Sequence, residues 1–84
     1  MVNKYKEDIK RRVSKALRKI MQEKGFLSYD EMYRTLVRKG FNKSFACLYD
    51  VVAKGTDRLS MFLYMCKLLD VDGIRLLNEE VLNG

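Results

Sequence analysis

The chain has 84 residues, with 17 Lys and Arg against 11 Asp and Glu for a formal net charge of +6, and it contains no His, Pro or Trp. A chain of this length buries one core and leaves little room for a deep substrate pocket, so the expectation is a single domain over 1–84 that is not an enzyme. Without His, the Ser-His and Cys-His pairs and the Cys₂His₂ zinc site are excluded by inventory, and no catalytic residue, metal site or cofactor is expected.

The first predicted element runs from about Lys4 to Lys24. Tyr5, Ile9, Val13, Ala16, Leu17 and Ile20 recur at steps of three and four, while Lys6, Lys10, Arg11, Arg12, Lys15, Arg18 and Lys19 cover the remaining surface. A basic amphipathic helix can lie on an anionic membrane, fill a partner's groove or pack on its own core. Packing is the simplest account, because the stripe lacks the Trp and Phe of an interfacial anchor, and the opposite face would still be available for backbone contacts to DNA. The first twenty residues are too charged for a secretory leader.

The second helix is expected from Ser28 to about Lys39. Ser28-Tyr-Asp-Glu31 matches the S-x-x-E capping box, and Met32, Tyr33, Leu36 and Val37 form the inward face. Asn42 is a suitable N-cap for a third helix over Lys43 to Lys54, with Phe45, Leu48, Tyr49 and Val52 inward at i, i+3, i+4 and i+7. That spacing turns Ser44, Ala46, Cys47, Asp50 and Val51 outward. Gly25, Gly40 and Gly55 follow the three patterns and read as the residues just past each helix end.

A fourth helix is predicted from a Thr56-Asp57 cap to about Leu69. Leu59, Phe62, Leu63, Met65, Cys66 and Leu69 make it apolar on so many sides that it belongs at the centre. Asp72 can cap a fifth, over Gly73 to Leu82. Alternating strand patterns and hairpin turns are missing, so the predicted fold is all-α, a compact five-helix bundle. The stretch Leu59 to Leu69 is too short to span a bilayer and contains Lys67, so no membrane partner is expected. Cys47 and Cys66 form no C-x-x-C pair and lie inside apolar patterns. Buried reduced thiols in a cytoplasmic protein are the economical reading, with a disulfide or redox role as the alternative.

Two amphipathic helices joined by a glycine-containing turn and followed by a central helix form the helix-turn-helix pattern. Ser28-Tyr-Asp-Glu-Met32 with Leu36, then Lys54-Gly55-Thr-Asp57, then the run from Leu59 to Leu69-Asp-Val-Asp72, resemble λ-repressor-like (Xre-type) helix-turn-helix domains over about Ser28 to Leu77. The likeness is to a small bacterial branch of that fold. Tyr33 departs from the family's small residue at the helix crossing, and the turn from Val37 to Asn42 is about three residues longer than the family's. The resemblance implies a motif over about 28–54 that binds double-stranded DNA as a small bacterial or phage transcriptional regulator. In that mode one helix crosses the backbone and the next enters the major groove.

Arg34, Arg38, Lys39, Asn42, Lys43, Lys54 and Arg58 are the candidate backbone contacts, and Lys43, Ser44 and Cys47 would lie nearest the base edges. All of the excess charge precedes Gly55. The outward residues of the third helix include no Arg, Gln or Asn, the usual readers of guanine and adenine. That scarcity sustains an alternative, the same fold as a protein-protein interaction module, an adaptor or inhibitor.

Ile74, Leu77, Val81 and Leu82 on the fifth helix (73–82) either cap the monomer core or join two copies in a homodimer, as repressor-like domains do. The nine Tyr and Phe residues raise base stacking as a possibility. Core packing explains most of them, while Tyr29 and Phe41 fit helical periodicity least well. No Walker loop, dinucleotide-binding glycine pattern or EF-hand loop occurs, so no small-molecule substrate is expected.

Overall fold

A computed structural model describes residues 4–82, so both ends of the 1–84 domain lie outside the described residues. The chain forms α1 (Lys4–Glu23), α2 (Tyr29–Arg38), α3 (Phe45–Lys54), α4 (Leu59–Leu68) and α5 (Gly73–Leu76), the last running into a π-helical segment over Leu77–Leu82. No strand occurs among the described residues. The radius of gyration is 12.2 Å, close to the roughly 12 Å expected of one compact body of this length. The predicted all-α, five-helix architecture is the one observed.

α1 lies between α3 and the C-terminal π-helical segment. Its stripe of Ile9, Val13, Ala16, Leu17 and Ile20 is buried, as the periodicity predicts, whereas Tyr5 is exposed near the end of the helix. Ser14 is the polar member of this buried surface. Its hydroxyl reaches the Val52 carbonyl at 2.7 Å and the Ala53 carbonyl at 3.1 Å. Both belong to the last turn of α3, whose carbonyls have no partner within the helix, so a side chain of α1 caps α3 from outside.

Gly55 completes that junction. Its φ of 86° and ψ of 177° lie in a region accessible essentially only to glycine. A Cβ there would stand 1.8 Å from the Lys10 carbonyl oxygen. The residue therefore ends α3 and lets the chain pass against the α1 backbone. At the end of α4 the left-handed position is filled by Asp70, at φ 59°, with Val71 N–H returning to the Cys66 carbonyl at 2.9 Å.

Four expectations about the elements change. The α2 cap holds, with Ser28 Oγ accepting from Glu31 N–H at 3.1 Å, but the Glu31 carboxylate accepts from Leu27 N–H at 3.2 Å, one residue earlier than a capping box requires. α3 begins at Phe45 with Ser44 as its N-cap, not Asn42. The reason is tertiary: Tyr64 hydroxyl takes the Asn42 amide at 3.3 Å, and Tyr33 hydroxyl donates to the Lys43 carbonyl at 3.2 Å. Those bonds hold residues 42 and 43 outside the helix. At α4, Arg58 is the cap and no side chain caps it; Thr56 Oγ1 accepts from Arg58 N–H, while Asp57 approaches Lys6. The predicted fifth helix is α-helical for one turn and π-helical thereafter, with Asp72 capping its start as expected.

α3 is also rotated relative to expectation. Leu48, Val51 and Val52 are buried, whereas Phe45 and Tyr49 are 40% and 44% exposed. Val51, expected outside, is core. On α2, Met32 and Leu36 are buried but Val37 is exposed. On α4, expected at the centre, Phe62, Met65 and Cys66 are buried, as is Leu69 at its C-cap, while Leu59 and Leu63 are half-buried.

Candidate nucleic-acid interface

The α2–turn–α3 unit and the start of α4 carry every candidate DNA contact. Three of the six candidate cations are neutralised locally: Arg34 pairs with Asp30, Lys39 with Asp70 at 2.6 Å, and Lys54 with Asp50 at 3.7 Å. The first and third are i,i+4 pairs within one helix and contribute little individually. Lys39–Asp70 instead ties the end of α2 to the end of α4. Lys39 beside it lowers the Asp70 carboxyl below its ordinary value, chiefly by hydrogen bonding.

Arg38, Lys43 and Arg58 have no carboxylate partner among the described residues; Arg38 instead donates to Thr35 Oγ1 at 3.2 Å. Lys43 and Arg58 line one open groove of about 510 Å³ between α3 and α4, with Cys47, Val51, Met61 and Tyr64 on its apolar side. Arg34 and Arg38 line a separate shallow groove along α2 with Ser28, Asp30 and Glu31. The structure thus brings Lys43, Cys47 and Arg58 together. Asn42 and Ser44 flank them in structural roles, one held by Tyr64 and the other capping α3.

The outward surface of α3 consists of Phe45, Ala46, Tyr49, Asp50 and Lys54. Phe45 and Tyr49 belong to a continuous chain of rings. Tyr29 meets Tyr49 edge-on at 5.1 Å, Phe45 lies beside Tyr49 at 6.4 Å, and Tyr33 meets Phe45 edge-on at 5.5 Å. Tyr33 continues to buried Phe41 at 6.2 Å, and Phe41 stacks on Tyr64 at 5.8 Å. The large Tyr33 therefore acts as the spacer between α2 and α3. This ladder was not assigned from the sequence as a site, yet it has a sequence signal: Tyr29 and Tyr33 on one helix and Phe45 and Tyr49 on the next are both i,i+4 aromatic pairs.

The C-terminal segment has less free surface than its composition implies. Val81 is fully buried, and Leu77 packs half-buried on the core, leaving Ile74 and Leu82 as the exposed apolar residues, at 62% and 40%. Arg12 donates to the Val81 carbonyl at 2.9 Å and Lys19 pairs with Glu80 at 2.9 Å. That hydrogen bond raises the Lys19 pKa. Part of the basic face of α1 is therefore engaged by the chain's own acidic end.

Both cysteines are free thiols, Cys47 half-buried and Cys66 buried. Burial pushes the Cys66 thiol up to about 11. Among the described residues no group of His, Cys, Asp and Glu is arranged to hold a metal ion, and no helix is long and apolar enough to cross a membrane. Comparison with protein-family models, curated proteins and solved structures finds no match.

Proposed function

We propose that this chain binds nucleic acid, in the manner of a helix-turn-helix domain on double-stranded DNA, and acts as a small transcriptional regulator. The observation that carries this reading is the pair Lys43 and Arg58, cations with no carboxylate partner among the described residues that line one groove between α3 and α4, Lys43 just before α3 and Arg58 at the start of α4. Unneutralised charge flanking the helix that would approach the major groove is what phosphate anchoring requires. α2 would brace on the backbone with Arg38 at its end. Affinity would come from counterion release and fall steeply with salt. Sequence readout would be slight, because Ala46, Tyr49 and Asp50 offer few partners for base edges. Fluorescence anisotropy with a labelled duplex at low salt tests this: saturable binding is expected, and none at any protein concentration up to the high micromolar range would sink the reading.

A second reading, a protein-interaction module, is favoured by the exposure of Leu27, Phe45 and Tyr49. Nucleic acid co-purifying with the protein, visible as a raised absorbance ratio, separates the two. A homodimer would use Ile74 and Leu82, the apolar residues left outside the monomer core. Sedimentation showing only monomer at high micromolar concentration would remove it.

A further inference from the structure

We infer that the cleft between α1 and the C-terminal π-helical segment is a second phosphate-binding surface for duplex nucleic acid, and that the chain's own Glu80 carboxylate occupies one of its phosphate positions and weakens binding there. This rests on the nucleic-acid reading and adds a surface and its internal competitor. The stretch from Lys10 to Lys19 carries six cations and no carboxylate, all within about 15 Å of helix. Arg12, Lys15 and Arg18 have no carboxylate partner among the described residues, and Arg11, Lys15 and Arg18 are exposed. Arg11, Arg12, Lys15 and Lys19 converge with Glu79 and Glu80 on one open cleft of about 460 Å³. No residue of this cleft lines the groove that holds Lys43 and Arg58, so the two surfaces are separate.

Glu80 shows how the cleft receives an anion. Its carboxylate accepts from Lys19 Nζ at 2.9 Å across 61 positions of sequence, so the fold and not helical spacing delivers it. The segment that carries it is fastened by Val81, whose side chain is fully buried and whose carbonyl accepts from Arg12 at 2.9 Å. Glu79, the other carboxylate of the cleft, pairs with Arg75 at 3.9 Å, which leaves Glu80 as the competitor. An exposed ion pair contributes little to stability, so Lys19 can exchange Glu80 for a phosphate without unfolding the segment. The charge density favours a phosphodiester backbone. A duplex presents one negative charge per about 1.7 Å of its axis, and α1 answers with its six cations in about 15 Å. A membrane is a poorer occupant, because Val13, Ala16 and Leu17, the apolar residues of this stretch besides the polar Ser14, are buried in the core and leave nothing to insert.

The test is anisotropy with a labelled duplex across a salt series, using the full chain and its Lys43→Ala/Arg58→Ala variant, in which contacts through the groove are removed. In that variant Glu80→Gln is expected to steepen the slope of log affinity against log salt by about one, for the phosphate contact that Lys19 gains. At about 0.05 M salt this corresponds to about fifteenfold tighter binding. Adding Lys19→Gln should reduce the gain from Glu80→Gln to less than about threefold, whereas a gain from net charge alone would persist. Lys15→Gln, which leaves the C-terminal contacts in place, should make the slope shallower by about one, and circular dichroism establishes that each variant is folded. An unchanged slope in either folded variant, or a gain that survives Lys19→Gln, overturns the inference and leaves the nucleic-acid reading standing where the wild type binds the duplex. Duplex bound by neither the wild type nor Glu80→Gln overturns both. If Glu80→Gln changes only retention on phosphatidylserine vesicles, the cleft belongs to a lipid surface and the inference fails.

Discussion

Gly55→Ala is the substitution that the α1–α3 junction tolerates least. The new Cβ would sit 1.8 Å from the Lys10 carbonyl oxygen and 2.5 Å from its carbonyl carbon, both backbone atoms inside a 20-residue helix. Neither can swing aside, so α1 and α3 must separate. The backbone strain costs about 1–3 kcal/mol, overpacking a further 1–3 kcal/mol or so, and loss of the Ser14 bond about 1 kcal/mol. A total of roughly 3–7 kcal/mol from these terms compares with about 4–13 kcal/mol of stability for a domain this size. Gly55→Ala is therefore expected to fail to fold, or to lose at least about a fifth of the unfolding free energy in urea. Gly25→Ala is the control: φ is +77° but nothing lies within 4 Å, so only the left-handed strain of about 1–2 kcal/mol applies. If the two variants unfold within 1 kcal/mol of each other, the close approach of α3 to α1 is wrong.

Ser14→Ala removes the external cap from two α3 carbonyls, and equilibrium denaturation should show a loss of about 1–2 kcal/mol; no loss would mean that water replaces the hydroxyl. Thiol titration with a disulfide reagent at neutral pH should label Cys47 promptly and Cys66 only after unfolding. Because the Cys66 thiol ionises near 11 when folded and at an ordinary 9.0 when unfolded, its contribution is constant below about pH 9 and is lost as pH rises toward 11. Stability that held level across that window in wild type but not in Cys66→Ala would contradict the burial of this thiol.

Where one side-chain pattern admitted one solution, the sequence was sufficient. The α1 stripe from Ile9 to Ile20 and the caps Ser28 and Asp72 appear where periodicity and capping chemistry put them. α3 is different. Phe45-Ala-Cys-Leu-Tyr-Asp-Val-Val-Ala is apolar on nearly every side, so Phe45/Leu48/Tyr49/Val52 and Leu48/Val51/Val52 both satisfy helical spacing. The aliphatic set went inward because Tyr29 and Tyr33 hold the aromatic set at the surface. Asn42 and Ser44 are equally good N-caps by chemistry, and only the long-range bonds from Tyr64 and Tyr33 choose between them. The cation cluster divides the same way: Asp30 and Asp50 stand four residues before Arg34 and Lys54, a pairing legible in helical spacing, whereas only the fold brings Asp70 to Lys39.

The central claim, that Lys43 and Arg58 anchor a phosphate backbone, is tested most directly by the salt dependence of binding. Affinity for one labelled oligonucleotide is measured across a salt series for the wild type and for the Lys43→Ala/Arg58→Ala double variant. The account predicts that the slope of log affinity against log salt becomes shallower by about two in the double variant, one ion for each lost contact. An unchanged slope, with affinity also unchanged, would contradict it.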